Sequence, residues 1–171
     1  MGITGFEPSF LVGIDAVRRA HGSRLAALTG RRLTGFALVR FAEDGDWVAD
    51  CPVVFDFDGV KVVVCHTKFD ELAIGWDPID TAARITGWEW FELTPQWSYD
   101  DERLEPFVGQ ELREAALLEW RPAAAADMAA GTVAVEFVFA GGGLRISNGL
   151  DENHIEVGAA HPEYVRHPLT R

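Results

Sequence analysis

The sequence predicts an α+β fold that is mainly antiparallel β, with about eight strands in two similar β modules and an N-terminal amphipathic helix packed against them. Three patterns support this class: a helical apolar spacing near the N-terminus, period-two alternation further on, and an internal repeat. The 171 residues suit a single domain. Within it, the repeat covers about 30–76 and 109–158, and an insert covers 77–108.

Two helices are predicted. Apolar residues recur every three or four positions over residues 12–28, and Thr29-Gly30 supplies a helix stop. A second, short helix is predicted from Asp77-Pro78 to Gly87, because aspartate is a good N-cap and proline suits the first helical position.

Alternation predicts the strands of the first module. Every second residue from Trp47 to Phe57 is apolar, and Asp58-Gly59 supplies the turn of a two-residue hairpin. In that register Cys51 faces His66, so Cys65 points to the opposite side of the hairpin and a disulfide between the cysteines is not expected. We interpret both as buried, reduced thiols.

The repeat aligns two blocks in the same order. Residues 30–41 align without gaps on 109–120, and residues 68–74 align on 149–155. We favour duplication over coincidence between two amphipathic β meanders. The composition of Glu111–Trp120 also suits a helix, but a strand is predicted there because the aligned segment alternates like a strand.

The acidic excess of the chain limits the kinds of partner that it can bind. The chain has 27 acidic and 15 basic residues, a net charge of −12, and residues 41–105 hold sixteen of the acids against four bases. This excess argues against a nucleic-acid or membrane-surface binder, since both polyanions would be repelled. With no long apolar run and no leader pattern, we expect a cytoplasmic protein, and the preference for arginine over lysine indicates a bacterial source.

Catalytic and cofactor signatures are missing from the sequence. No serine lies in a nucleophile elbow, and the glycine run 141–143 leads into a predicted strand rather than a helix, so a phosphate loop is not expected. His154, His161 and His167 have no compact metal-ligand spacing. We therefore predict neither a cofactor nor a metal, and interpret His66 as a core or edge histidine.

The insert holds the strongest candidates for a binding surface, because large aromatic side chains alternate there with acids. Such a surface suits a basic protein partner, or a cationic ligand held by cation-π contact. The aromatic residues could equally fill the seam between the modules. The candidate residues are Trp88, Trp90, Trp97, Tyr99, Asp100, Asp101 and Glu102.

Two pairs of acids fall at aligned places in the repeat: Asp70-Glu71 and Asp151-Glu152. If the modules pack about a twofold axis, the pairs converge on one site; otherwise they are solvated turns, which is the favoured interpretation.

The sequence therefore predicts a non-enzymatic acidic binding protein, of the immunity or antitoxin kind, that occludes a basic protein partner. The alternative is a small-molecule-binding protein or enzyme with an aromatic and acidic pocket between the two modules.

Overall fold

The computed structural model describes residues 2–76, 79–87, 92–124 and 126–169. These residues contain eleven strands, helix α1 (Ile14–Ala26) and a short 3-10 helix at Glu105–Phe107. In chain order the strands are β1 (Phe10–Val12), β2 (Leu33–Phe41), β3 (Val53–Phe57), β4 (Val60–Thr67), β5 (Glu71–Gly75), β6 (Pro95–Ser98), β7 (Glu114–Trp120), β8 (Val133–Phe139), β9 (Gly142–Asn148), β10 (Asn153–Val157) and β11 (Tyr164–Pro168).

The strands form two antiparallel sheets. The first has the order β1-β5-β4-β3-β2-β6, and the second has the order β10-β9-β8-β7-β11. The predicted α+β class with antiparallel sheets is confirmed, but eight strands was too few. The three additional strands, β1, β6 and β11, pair along the edges of two meanders, β2 to β5 and β7 to β10.

Helix α1 lies within the predicted span and packs against β7 and β1. Gly13 precedes it with a φ of 80°, a left-handed value that glycine adopts without strain. The helix has 13 residues, and the described part of the chain holds no helix with the length and apolar character needed to cross a membrane.

The hairpin register is confirmed from Val53 onward, since Val53 pairs with Val64. The predicted strand was wrong before that point, because β3 starts only after Pro52, which has no N–H for the ladder. As a result Cys51 does not face His66: it packs in the cluster on the outer face of the first sheet.

The predicted second helix is also wrong within 79–87, where the chain forms turns and bends; Asp77 and Pro78 lie outside the described residues. Tertiary packing explains the difference. Ile79 and Ile85 are buried against the outer face of the first sheet, and a bridge between Gly2 and Thr86 fixes this segment to the N-terminus.

The inner faces of the two sheets share one core. Phenylalanine rings cross the seam between them: Phe55 lies 5.3 Å from Phe137, and Phe57 stacks on Phe139 at 6.4 Å between ring centroids. The core also takes in the buried side of α1. Each meander therefore covers the apolar face of the other.

The aligned glycines of the repeat make matching contacts. The Gly30 N–H donates to the Leu112 carbonyl at 2.8 Å, and the Gly109 N–H donates to the Leu33 carbonyl at 2.7 Å. Each bond is the counterpart of the other in the alignment, so the two modules meet here with local twofold symmetry. The duplication itself stays a prediction.

Asn153 ties the two sheets together at a second point. Its Oδ1 accepts the His66 backbone N–H at 2.8 Å, and its Nδ2 donates to the carbonyls of Ala49 and Cys51, both at 2.8 Å. The His66 ring is 2% exposed and its Nε2 lies 3.0 Å from the Val133 carbonyl. Burial lowers the pKa of His66, which is a structural core histidine.

Replacing Asn153 with alanine should lower the free energy of unfolding by about 2–4 kcal/mol, because one buried donor and two carbonyls lose their partner. Asn148→Ala is the matched control: Asn148 is less buried, and its side chain donates to Lys68 and accepts from Asp151 on an outer turn. We expect a loss of about 1 kcal/mol or less for the control. Urea denaturation of both variants measures the difference, and equal losses would contradict this role of Asn153.

The two thiols should be unreactive in the folded protein. Burial, and then the charges of Cys65 and Asp50, raise the pKa of Cys51 to about 12. Burial also raises the pKa of Cys65 to about 12. At pH 8 we expect labelling by a thiol reagent to be at least about a hundredfold slower than in guanidinium chloride. Fast labelling of the native protein would contradict this prediction and would show that the chain around Cys51 and Cys65 opens readily.

Candidate functional site

The structure divides the aromatic candidates of the insert. Trp88 and Trp90 lie outside the described residues. Trp97, on β6, is partly buried against the outer-face cluster of the first sheet. Tyr99 is 60% exposed, and its hydroxyl donates to the Thr81 carbonyl at 2.9 Å. Trp97 thus belongs largely to the packing, whereas Tyr99 lies at the surface.

Exposed acids lie on two segments at either end of β6: the loop after β2, and the chain that follows Tyr99. Pairing of β2 with β6 places Phe41 opposite Pro95, so the loop after β2 lies beside the chain that enters β6. The Thr94 N–H donates to the Glu43 carboxylate at 3.0 Å. We call this surface the acidic patch; its exposed members are Glu43, Asp44, Asp46, Asp100, Glu102 and Glu105.

Asp101 is the buried anchor of the acidic patch and is 3% exposed. Its Oδ2 accepts from Arg40 at 2.8 Å and from Arg103 at 2.7 Å. Burial alone would raise the pKa of Asp101, but the hydrogen bonds and charge of Arg103, with the charge of Arg40, hold it below its usual value. Arg40 also donates to the Gly45 carbonyl at 2.8 Å, which fixes the loop after β2 to Asp101. We therefore assign Asp101 a positioning role.

Other acids of the patch repel one another. A hydrogen bond with Asp100 raises the pKa of Glu105, and the charges of Asp100, Asp101 and Glu102 raise it further. Beside them lies an open groove of about 600 Å³, lined by Arg40, Ser98, Asp100, Asp101, Glu102 and Arg103. Both arginines are paired with Asp101, so Asp100 and Glu102 are the acids of the lining that have no arginine partner there. An approaching cationic group would relieve this repulsion, so the patch is electrostatically suited to a basic ligand.

The two pairs of acids lie on turns that do meet. A β-bridge joins Lys68, which lies just before the first pair, to Asp151 of the second pair. Glu71 is engaged by Lys68, whose Nζ lies 2.8 Å from its carboxylate. The remaining members, Asp70, Asp151 and Glu152, are exposed on these turns. The structure thus brings the segments together, and their role in binding stays a prediction.

The C-terminal histidines separate into different surroundings. His167 lies 3.0 Å from the Glu119 carboxylate, and His161 lies 3.9 Å from Glu163. Among the residues that the structure describes, no group of three or more histidine, cysteine, aspartate or glutamate side chains is arranged to hold a metal ion.

A charged network that was not predicted from the sequence lies on the outer face of the second sheet. Glu136 and Arg145 are both buried and form an ion pair at 3.0 Å, and Glu136 also pairs with Arg166. A signal was present, since each interrupts an apolar strand and the glycine turn between β8 and β9 places them opposite each other.

Asp101→Asn should lower the free energy of unfolding by about 1–3 kcal/mol at pH 7, because the carboxylate accepts three charge-assisted hydrogen bonds from the side chains of Arg40 and Arg103. Its folded pKa lies below the unfolded value, so this stabilisation is complete above about pH 4. It should disappear as the pH falls through the folded pKa.

The exposed neighbour supplies the control: Asp100→Asn should change stability by less than about 0.5 kcal/mol. Chemical denaturation at pH 7 and pH 3 measures the free energy of unfolding of both variants. A loss at pH 3 as large as that at pH 7 would contradict the charged anchor.

Compared with known proteins, the chain matches no family model, no curated protein and no solved structure.

Proposed function

We propose that this chain is a non-enzymatic binding protein, of the bacterial immunity or antitoxin kind, whose acidic patch occludes a basic protein partner. The observation that carries the proposal is the clustering of the exposed carboxylates Asp100, Glu102 and Glu105 on one surface. A hydrogen bond with Asp100, and then the like charges around it, raise the pKa of Glu105. Unrelieved repulsion of this kind costs stability, and a basic partner would convert it into attraction.

The patch is also organised rather than diffuse. Asp101 and Arg40 lock its two segments against each other, so the exposed carboxylates are held in place before a partner arrives. Preorganised charge reduces the entropy lost on binding and accelerates association with an oppositely charged protein. Exposed Tyr99 adds an aromatic side chain of the type that dominates interface energies.

The repeat offers further support. We propose that the two meanders arose by duplication, and the acidic patch lies on the parts in which they differ: the loop after β2 and the insert that precedes the second copy. Since the second meander forms without these acids, the fold does not require them. We infer that these acids serve binding rather than folding.

The alternative, a pocket between the modules, has less support. At the level of β3 and β8 the seam is filled by the rings of Phe55, Phe57 and Phe137, which lie 5.1–6.5 Å apart. This packing leaves the acidic patch as the better basis for a function.

Affinity capture from a lysate of the source cell, analysed by mass spectrometry, tests the proposal. The captured protein should be basic, and its binding should weaken steeply between roughly 50 and 500 mM salt. The reason is that salt screens exposed charges: the Debye length falls from about 10 Å at 0.1 M to about 3 Å at 1 M. The double variant Glu102→Lys with Glu105→Lys should weaken binding of the purified partner about tenfold or more.

Glu7→Lys with Glu111→Lys serves as the matched control, because both residues are exposed and lie off the acidic patch, while the net charge changes equally. This variant should bind almost as well as the parent protein. If both double variants lose binding equally, net charge rather than the patch is responsible, and a salt-insensitive partner would contradict the proposal.

A further inference from the structure

A pocket of about 290 Å³ lies on the outer face of the second sheet. The strands β2 and β6, which position the acidic patch, belong to the first sheet. The volume of the pocket is near the lower end of the roughly 300–1,000 Å³ typical of small-molecule sites. It combines aromatic, acidic and hydroxyl side chains. Those used below are Trp120, Asp127, Ser147, Glu156, His161 and Tyr164.

Aromatic rings form one wall of the pocket. The Trp120 ring lies 5.0 Å from the ring of His161 and 5.0 Å from that of Tyr164, measured between centroids. The Trp120 Nε1–H donates to the Asp127 carboxylate at 2.9 Å. This bond, with the Ala129 N–H, lowers the pKa of Asp127, so the wall carries a full negative charge at neutral pH.

A buried arginine organises the opposite side. Arg145 is 2% exposed, and its guanidinium donates to the carbonyls of Gly158 and Ala159 at 2.9 and 3.1 Å, which fixes the chain leading to His161. Its Nε lies 3.7 Å from Glu156, and this atom has no hydrogen-bond partner among the described residues. Glu156 also accepts from the Ser147 hydroxyl at 3.0 Å. The Ser147 hydroxyl and the guanidinium of Arg145 thus hold the Glu156 carboxylate in position.

We propose that this pocket binds a small organic cation, of the ammonium or guanidinium class. The described residues that line it include two carboxylates and neither lysine nor arginine. The partly exposed Trp120 and Tyr164 rings offer the electron-rich faces that attract cations, and Asp127 supplies the counter-charge. The overall charge of −12 favours cation entry as well. The pocket lies on the second sheet, so this function is additional to the one proposed for the acidic patch.

Matched probes test the charge requirement. Titrations of the purified protein with benzylammonium and with benzyl alcohol, and with choline and its uncharged carbon isostere, compare ligands of nearly equal shape. Isothermal calorimetry should show at least about fivefold tighter binding of each cation, the size expected for a cation-π contact with a counter-charge. The signal of the Trp120 indole N–H, assigned with Trp120→Phe, should shift during the titration.

Asp127→Asn preserves the shape of the pocket and should weaken cation binding about tenfold. Asp80→Asn is the control, because Asp80 accepts the N–H of Ala82 just as Asp127 accepts that of Ala129, and it lies outside the pocket. The control should bind like the parent protein.

Three results would overturn the proposal: equal binding of the cation and its neutral isostere, equal weakening by both variants, or an unchanged Trp120 indole signal at saturating cation. If Asp127→Asn fails to fold, the indole signal of the unaltered protein decides. Loss of the partner bound to the acidic patch would leave this measurement unaffected, so the two proposals fail separately.

Discussion

Each meander has an apolar face that must be removed from water, and in this fold the other meander covers it. The phenylalanines of β3 and β8 meet across the seam, and α1 covers the remaining side of the same core. Burial of this surface is the dominant favourable contribution to folding. It also fixes which side chains face outward, and therefore which of them are available for binding.

The hydrogen bonds that join the modules follow from that packing. Once the apolar faces are in contact, the polar groups at the seam have lost water and must be paired within the protein. Asn153, which is buried, meets this requirement between β10 and β4. Gly30 and Gly109 are exposed, and their N–H groups add reciprocal hydrogen bonds between the two modules. These contacts make the relative position of the two sheets specific, whereas apolar burial alone tolerates sliding.

Charged groups divide into those that build the structure and those left for solvent or partners. Asp101, Glu136 and Arg145 are buried and paired, so their contribution is to hold loops and strands in place. Asp100, Glu102 and Glu105 have no such role in packing and repel one another. The net charge of −12 therefore says less about this protein than the location of the few acids that the fold does not neutralise.

Local periodicity and turn chemistry were enough to predict the α+β class, helix α1, the hairpin register from Val53 and the order of elements in both meanders. They failed at Ile79–Ile85 and overlooked the edge strands, since short segments adopt the conformation that a neighbouring surface requires. The role of Asp101 as an anchor, and the pocket that Asp127 and Glu156 share with Trp120, follow from the packing of the folded chain. Arg40 and Asp101 lie 61 residues apart, and Trp120 and Glu156 lie on different strands, so their proximity depends on packing that no local pattern encodes.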